Sequence, residues 1–581
     1  MTTLRLAATI VALTCLAGIA GCDRSKMIVE RDVAVPMRDD VVLRADIYRP
    51  MSKGPHPVLV YRTPYGKHFA ADDYETHIRA VERGYAVVLQ DVRGRYASDG
   101  FFNPYFHEGE DGYDTIAWAA RQPWSNGDIG TYGLSYPGAV QWLAAVQSPP
   151  QLKAMVPAMT FSTPGNFFYM NGVFDMSWLP WIYFNIAPDA RIRKGLPGPT
   201  EDADVAAAWQ QEADEVLSFL PLAELPMLRD EAPFYFEWLR HGPTDPWWSW
   251  AEVRGRYANT DAAVLNISGW YDEAYGPEGA VTNHNGLVAA RAGDEARSQL
   301  ILGPWQHGET ARHQLGELDF GPHATIDYDE LVLDFLDRYL QPDAADTDTG
   351  FNAAVRYFVM GSNEWREASS WPPPEVRPKR LCLKRKGATG TLGDCARASR
   401  APASSFRADP AKPVVDPYEG FEPHDYQMLA AHESVLTFET ETLPEAVTVA
   451  GSVIAKLFVS CDCRDFDLWV KLLDVYPDGR AINLMGPGAD VQRVSYRNDA
   501  DQELLRPDEV VAVTIDGLLT ANRFDVGHRI RIQVSASFAP HLSRNLQTGL
   551  SETVSSESVP ATIVVHHSDE YDSSLELPLI D

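Results

Sequence analysis

The sequence predicts a mostly parallel α/β domain, interrupted by a helical insertion and followed by an all-β domain. Three observations carry that expectation. Apolar runs alternate with helix-period stretches up to about residue 160 and again from 263 to 340, as strand–helix units of a parallel sheet do. In residues 161–250 the alternation stops and aromatic side chains crowd in, among them Phe168, Trp178, Trp181, Trp238 and Trp248. From about Phe351 short strands recur with turns such as Pro477-Asp478-Gly479-Arg480 between them, the texture of a β-sandwich or jelly roll.

In chain order, the first segment is a targeting signal. Arg5 charges a short n-region, and Leu6 to Ala20 is an apolar run too short to span a bilayer comfortably. It ends Ile19-Ala20-Gly21-Cys22, which resembles a bacterial lipobox. Residues 1–22 are therefore expected to be a lipoprotein signal whose cleavage leaves Cys22 lipidated, tethering an exported protein to a membrane on its periplasmic side. The alternative is an ordinary secretory signal that contains Cys22. Residues 27–160 form the first part of the α/β domain. Strands fall between 30 and 61, a loop spans Arg62 to Lys67, and helix runs from Tyr74 to Arg83. Tyr85 to Asp91 is apolar enough for a strand buried on both faces. Helix Glu110–Gln122 and strand Leu152–Pro157 flank a further strand–helix unit at residue 135. Residues 161–250 read as a helical cap containing an exposed-looking helix from Glu201 to Leu217. Residues 251–345 resume the sheet with strands Ala263–Ser268 and Ser298–Gly303 and helices Glu278–Ala292 and Asp327–Leu340. Residues 346–581 are assigned to the β domain, beginning with strand Val355–Met360 and containing irregular linkers at Pro372–Pro374 and Ala401–Pro417.

The 581 residues are too many for one core, and the formal net charge of -31 excludes nucleic acid as a partner, since a phosphate backbone would be repelled. Cys15 leaves with the signal and Cys22 is consumed by lipid, which leaves four cysteines. Outside the cytoplasm disulfides form. A bridge between Cys382 and Cys395 across a hairpin near Gly387 is expected. Cys461 and Cys463 are too close in sequence to make a strong pair, and no histidine is spaced for zinc.

The chemistry centres on Gly130-Thr131-Tyr132-Gly133-Leu134-Ser135-Tyr136-Pro137-Gly138. A strand, a tight turn with serine at its tip and a helix make a nucleophile elbow, although Pro137 adds one residue to the usual G-x-S-x-G spacing. The competing interpretation is a helix-capping serine. A serine hydroxyl needs a base, and the base needs an orienting carboxylate. Ser135, Asp272 and His307 occur in the chain order of α/β hydrolases, each in the loop after a strand. His284 is the nearby competitor, but it lies on a helix. The Tyr136 amide and the Tyr65 hydroxyl, in loops at two strand ends, are the expected oxyanion donors. No cofactor or metal is required for this chemistry.

These residues carry a resemblance. Arg62-Thr63-Pro64-Tyr65-Gly66-Lys67, Asp91-Val92-Arg93-Gly94, Gly133-Leu134-Ser135-Tyr136-Pro137-Gly138, Gly269-Trp270-Tyr271-Asp272, Gly303-Pro304-Trp305-Gln306-His307 and Asp474-Val475-Tyr476-Pro477-Asp478-Gly479 are similar to the motifs of the cocaine esterase-like hydrolases. That group is related to X-prolyl dipeptidyl peptidases, α-amino acid ester hydrolases and glutaryl cephalosporanate acylases. The resemblance implies an α/β-hydrolase domain, a helical cap and a jelly roll. It implies Ser135 as nucleophile, His307 as base, Asp272 as orienting acid, and Tyr65 with the Tyr136 amide as oxyanion hole. α-Amino acid ester hydrolases place acids two and three residues after the triad aspartate to hold a substrate ammonium; here those places are Ala274 and Tyr275, and Glu273 lies one residue early. Ala274 also stands where cocaine esterase has an aromatic residue. The expected function is hydrolysis of small acyl esters or activated amides. Dipeptidyl peptidase action is the alternative within the class, and a carbohydrate-binding lipoprotein with an inactive hydrolase domain is the alternative outside it.

Overall fold

Ten strands form the sheet that carries the site, in the order β1-β2-β4-β3-β5-β6-β7-β8-β9-β10. They are β1 (Met27–Pro36), β2 (Val42–Pro50), β3 (His56–Thr63), β4 (Ala86–Asp91), β5 (Ser125–Leu134), β6 (Leu152–Ala158), β7 (Ala263–Tyr271), β8 (Ser298–Gln306), β9 (Val355–Val359) and β10 (Glu364–Ala368). The computed structural model describes residues 27–73, 75–291, 297–341, 353–385, 389–395, 403–486, 488–498 and 501–580. The signal segment with Cys15 and Cys22, and the turn at Gly387, lie outside the described residues.

Strands β3 to β9 run parallel, and β1, β2 and β10 pair antiparallel at the edges. Every residue of β3, β4 and β7 is buried. Their apolar runs therefore have helices on both sides, as a parallel sheet requires. One face is covered by α1 (Glu108–Ala120) and α2 (Tyr136–Ala145), and the whole of α2 is buried. The other face is covered by α5 (Tyr328–Leu340), which packs Val332, Leu333 and Leu336 against Leu59, Val87 and Tyr132.

The core under α2 continues without a break into the cap. Trp142 and Leu143 of α2 belong to the same apolar cluster as Phe168, Trp178 and Trp238. The cap helix α3 (Asp202–Ser218) is exposed on one side only. Val205, Trp209, Ala213 and Val216 form its buried stripe at helical spacing. Helix α4 (Glu278–Ala290) follows β7.

The strand expected at Val355–Met360 forms, but it pairs with the α/β sheet rather than with the later β strands. Val355 to Val359 is β9, which pairs in parallel with β8, and β10 folds back on it. Alternating patterns at a domain boundary suit either sheet equally, and only the partner strand decides. The β domain proper is a twelve-stranded sheet system running from Arg377 to Ile580. The expected linker Ala401–Pro417 is corrected as well, since Ser404–Ala408 pairs antiparallel with Ala561–Val565.

Cys382 and Cys395 are bridged. Cys461 and Cys463 are bridged too, against the expectation from their spacing. The chain turns sharply after the strand that ends at Cys461, setting the two Cα atoms 5.2 Å apart, inside the usual disulfide range.

The β domain braces the strand that delivers the candidate acid. The Gly486 amide donates to the Trp270 carbonyl at 2.7 Å, and the Tyr271 hydroxyl donates to the Asn483 carbonyl at 3.0 Å.

Candidate active site

Ser135 sits between β5 and α2 with φ 67 and ψ -126, a backbone conformation that non-glycine residues avoid. The turn is tight enough to demand glycines on both sides. A Cβ at Gly133 would stand 2.5 Å from the Pro137 side chain, and one at Gly138 would stand 2.7 Å from the Ala158 carbonyl. The Ser135 amide donates to that same carbonyl at 3.0 Å, which ties the elbow to β6. Pro137 falls inside the first turn of α2, where its missing N–H costs nothing. The Tyr136 amide is at the first position of that helix, among the N–H groups with no acceptor within the helix.

Asp272 and His307 stand after β7 and β8. Asp272 is fully buried, and its Oδ1 lies 2.8 Å from His307 Nδ1. The Ala274 amide and the Ser268 hydroxyl donate to the same carboxylate, fixing its plane. Burial works against charge on His307, but Asp272, and beyond it Glu273, outweigh that and raise the imidazole above its ordinary value. The His307 amide donates to Glu273 Oε2 at 3.1 Å.

Ser135, His307 and Tyr65 line one cavity of about 630 Å³. Tyr275 shares that lining with Ser135 and His307. Burial raises the Tyr275 phenol, and hydrogen bonding to Tyr105 and Ser135 pulls the other way. Tyr275 also packs against Phe167 and lies beside the His307 ring.

Tyr65 follows β3, and its oxygen accepts the Trp181 indole N–H at 3.0 Å. The loop that carries Tyr65 is fixed from behind. Arg95, fully buried, donates to the Pro64 carbonyl at 2.7 Å and to the cap carbonyls of Asn185 and Ile186 at 2.7 and 3.0 Å. The Tyr136 ring turns away from the cavity. Its hydroxyl donates to Glu108 Oε1 at 2.8 Å, and Glu108 pairs with buried Arg62 at 2.8 Å. His284 is buried against Ser298, away from Ser135, and burial lowers it to about 4.

A small recess of about 50 Å³ shares Asp175, Glu273 and Tyr275 with the main cavity and adds Glu278. Burial raises Glu273 and Glu278 to about 7 and Asp175 to about 6. Sequence reasoning did not find this grouping. Asp175 comes from the cap, Glu273 from the loop after β7 and Glu278 from the start of α4, so no spacing in the chain unites them. Tyr275 was legible only as a departure from a pattern. Phe421, from the β domain, also lines the cavity. Among the described residues no cluster of side chains suits a metal ion.

The geometry resembles known hydrolases over its whole length. Residues 39–309 match the X-Pro dipeptidyl-peptidase (S15 family) domain, and residues 350–576 match the X-Pro dipeptidyl-peptidase C-terminal non-catalytic domain. The chain is 34% identical over 593 residues to the cocaine esterase of Rhodococcus sp. (strain MB1 Bresler), covering 95% of this chain and 98% of that one. An aminopeptidase from a marine sediment archaeon, Thaumarchaeota archaeon, superposes with a TM-score of 0.80 at 25% identity, covering 97% of this chain and 98% of that chain. An α-amino acid ester hydrolase superposes with a TM-score of 0.79 at 24% identity over 99% of this chain and 100% of that chain, a likeness of fold.

Proposed function

The chain belongs to the cocaine esterase-like family of serine hydrolases, and on that premise we propose that Ser135 is its nucleophile in the cleavage of small acyl esters. His307 Nε2 takes the hydroxyl proton as Ser135 Oγ adds to the acyl carbon. Asp272 keeps the other ring proton on Nδ1 and stabilises the imidazolium that forms. The Tyr65 O–H and the Tyr136 N–H receive the oxyanion. His307 returns the proton to the leaving oxygen, and water, activated by the same base, releases the acid from Ser135. The observation that carries this reading is the 2.8 Å bond from buried Asp272 to His307, at the rim of the cavity that Ser135 and Tyr65 share. The test is labelling with a fluorophosphonate and turnover of p-nitrophenyl acyl esters. Wild type should label on Ser135, and Ser135→Ala should lose both label and turnover; an active Ser135→Ala protein overturns the assignment.

The acidic recess favours a second reading, in which the acyl group carries an amine and the enzyme acts on amino-acyl esters or as an X-Pro dipeptidyl peptidase. Asp175, Glu273 and Glu278 line a recess that opens off the nucleophile's cavity, and once ionised they would offer negative charge to an ammonium. Free and N-acetylated amino-acyl p-nitrophenyl esters separate the two readings. A lower KM for the free amine supports the second, and equal values remove it.

We further propose that Cys22 carries a lipid and that the mature chain faces the periplasm. The lipobox-like run at residues 19–22 and the two disulfides, which suit an oxidising compartment, support this. A Cys22→Ser protein should leave the membrane fraction, and the N-terminal peptide of the wild type should carry the mass of acyl chains.

A further inference from the structure

A second cavity, of about 380 Å³, lies in the seam between the cap and the β domain. Its cap wall is Leu217 at the end of α3 with Phe219 and Leu220 after it. Its other wall includes Val415 and Leu542 of the β domain. Val415 leaves 47% of its surface open at this cavity. The volume and apolar lining are those of a small-molecule site rather than a packing defect.

One extended segment separates this cavity from the catalytic one. Leu542 bridges antiparallel to Asp175, the Met176 amide donates to the His541 carbonyl at 2.9 Å, and the Ser543 amide donates to the Phe174 carbonyl at 2.9 Å. The chain leaves this pairing in a turn at Met176 and Ser177, where the Ser177 amide donates to the Asp175 carboxylate at 2.8 Å. Asp175 and Ser177 line the catalytic cavity, and Met176 between them lines the seam. At Met176 the wall is one backbone thick, so a shift of its side chain is expected to pass to Asp175 and Ser177 at the other site.

The charges at the seam choose among ligands. Asp214, Asp416 and Glu419 line it. The cation there, Arg544, is already donating to the carbonyls of Ser218 and Pro410. Burial lowers His541 to about 4, so it adds no positive charge near neutrality. The three carboxylates outnumber the arginine, so the seam favours a neutral or cationic molecule over an anion.

We propose that this seam is a second ligand site, for a compact apolar molecule that is neutral or cationic, and that its occupancy alters turnover through the Phe174–Ser177 segment. The site does not depend on the catalytic reading; the coupling does. The probe is N-phenyl-1-naphthylamine, which is neutral and fluoresces in apolar surroundings. It is titrated into the full chain before and after Ser135 is blocked with a phosphonate. The expected result is one probe per chain in both forms, with affinity reduced about tenfold by Leu217→Trp and by Val415→Trp, each of which fills the cavity. Val415 is exposed enough that its tryptophan variant should unfold at the wild-type temperature, which guards against a misfolded control. Saturating probe should change KM or kcat for p-nitrophenyl butyrate by about fivefold without competitive kinetics. Loss of probe binding on blocking Ser135, or unchanged affinity in both tryptophan variants, overturns the site. Binding with no kinetic effect overturns the coupling. A chain that the phosphonate does not label but whose probe affinity still falls in the variants would overturn the catalytic assignment and leave the site standing.

Discussion

At Ser135, the conformational strain of φ 67 is offset by neighbours that hold it, and the residue shares one cavity with Tyr275, Tyr65 and His307. Each partner has its own signature. Removing the Tyr65 hydroxyl in Tyr65→Phe should lower kcat for p-nitrophenyl esters by about 10²-fold to 10³-fold with KM little changed, because an oxyanion donor acts mainly on the transition state. Asp272→Asn should cost about 10⁴-fold in kcat by favouring the wrong imidazole tautomer. The base must be neutral to act, and Asp272 and Glu273 raise His307. The acidic limb of the kcat/KM profile should therefore lie above the ordinary imidazole value of about 6.5 and fall toward it in Asp272→Asn. In the recess the sign is opposite for a bound cation. Glu273 and Glu278, raised to about 7 by burial, are neutral below that pH and ionised above it. KM for a free amino-acyl ester should drop as pH rises through about 7, while KM for its N-acetyl analogue should not follow.

Among the elements, the loop after β3 depends most on distant parts of the chain. Arg95 joins Pro64, beside Tyr65, to the cap carbonyls of Asn185 and Ile186, and it pairs with Asp189 at 3.3 Å. Replacing it in Arg95→Met strands Asp189 and the three carbonyls, a loss of about 3–5 kcal/mol for a broken buried pair. Calorimetry should show a lower unfolding midpoint, and kinetics a raised KM as the cap loosens over Tyr65. The elbow, in contrast, was readable from the chain alone. Gly133, Ser135 and Gly138 are local requirements of one turn, so their spacing survives in the sequence. The cap helix α3 was legible in position but not in burial, because its stripe of Val205, Trp209, Ala213 and Val216 is recognisable only against the aromatic wall it meets.

For the whole molecule, the β domain completes the hydrolase. Met360 and Arg523 exchange backbone bonds with the strands across the boundary, and Asn483 and Gly486 hold the residues just before Asp272. A chain ending at residue 368 should fail to give one cooperative unfolding transition and should not label with fluorophosphonate. Strand register would also set the orientation of the molecule under the proposed tether at Cys22. Met27 pairs with Pro50, and the run of pairings through Tyr48 with Val87 puts that corner at the amino ends of the parallel strands, opposite Thr63 and the site. Residues 22–27 reach at most about 18 Å when extended. With Cys22 acylated in vesicles, exposed Lys53 at that corner should be shielded from a water-soluble amine reagent, and Lys194 on the cap should react; the reverse pattern would reject the orientation.

What the chain determined by itself is whatever depends on neighbours in sequence: strand–helix alternation, the strained serine turn, and the order Ser135, Asp272, His307 at strand ends. These signals are local, and a parallel sheet converts strand ends into one common edge. What only the tertiary structure decided depends on which surfaces meet. Val355 to Val359 joined the hydrolase sheet because β8 offered an open edge. Cys461 bridged Cys463 because the chain turns there. Asp175, Glu273 and Glu278 converged on one recess from three elements, and Met176 came to separate two cavities. No periodicity encodes such meetings, because the distances that create them are set by packing between segments far apart in the chain.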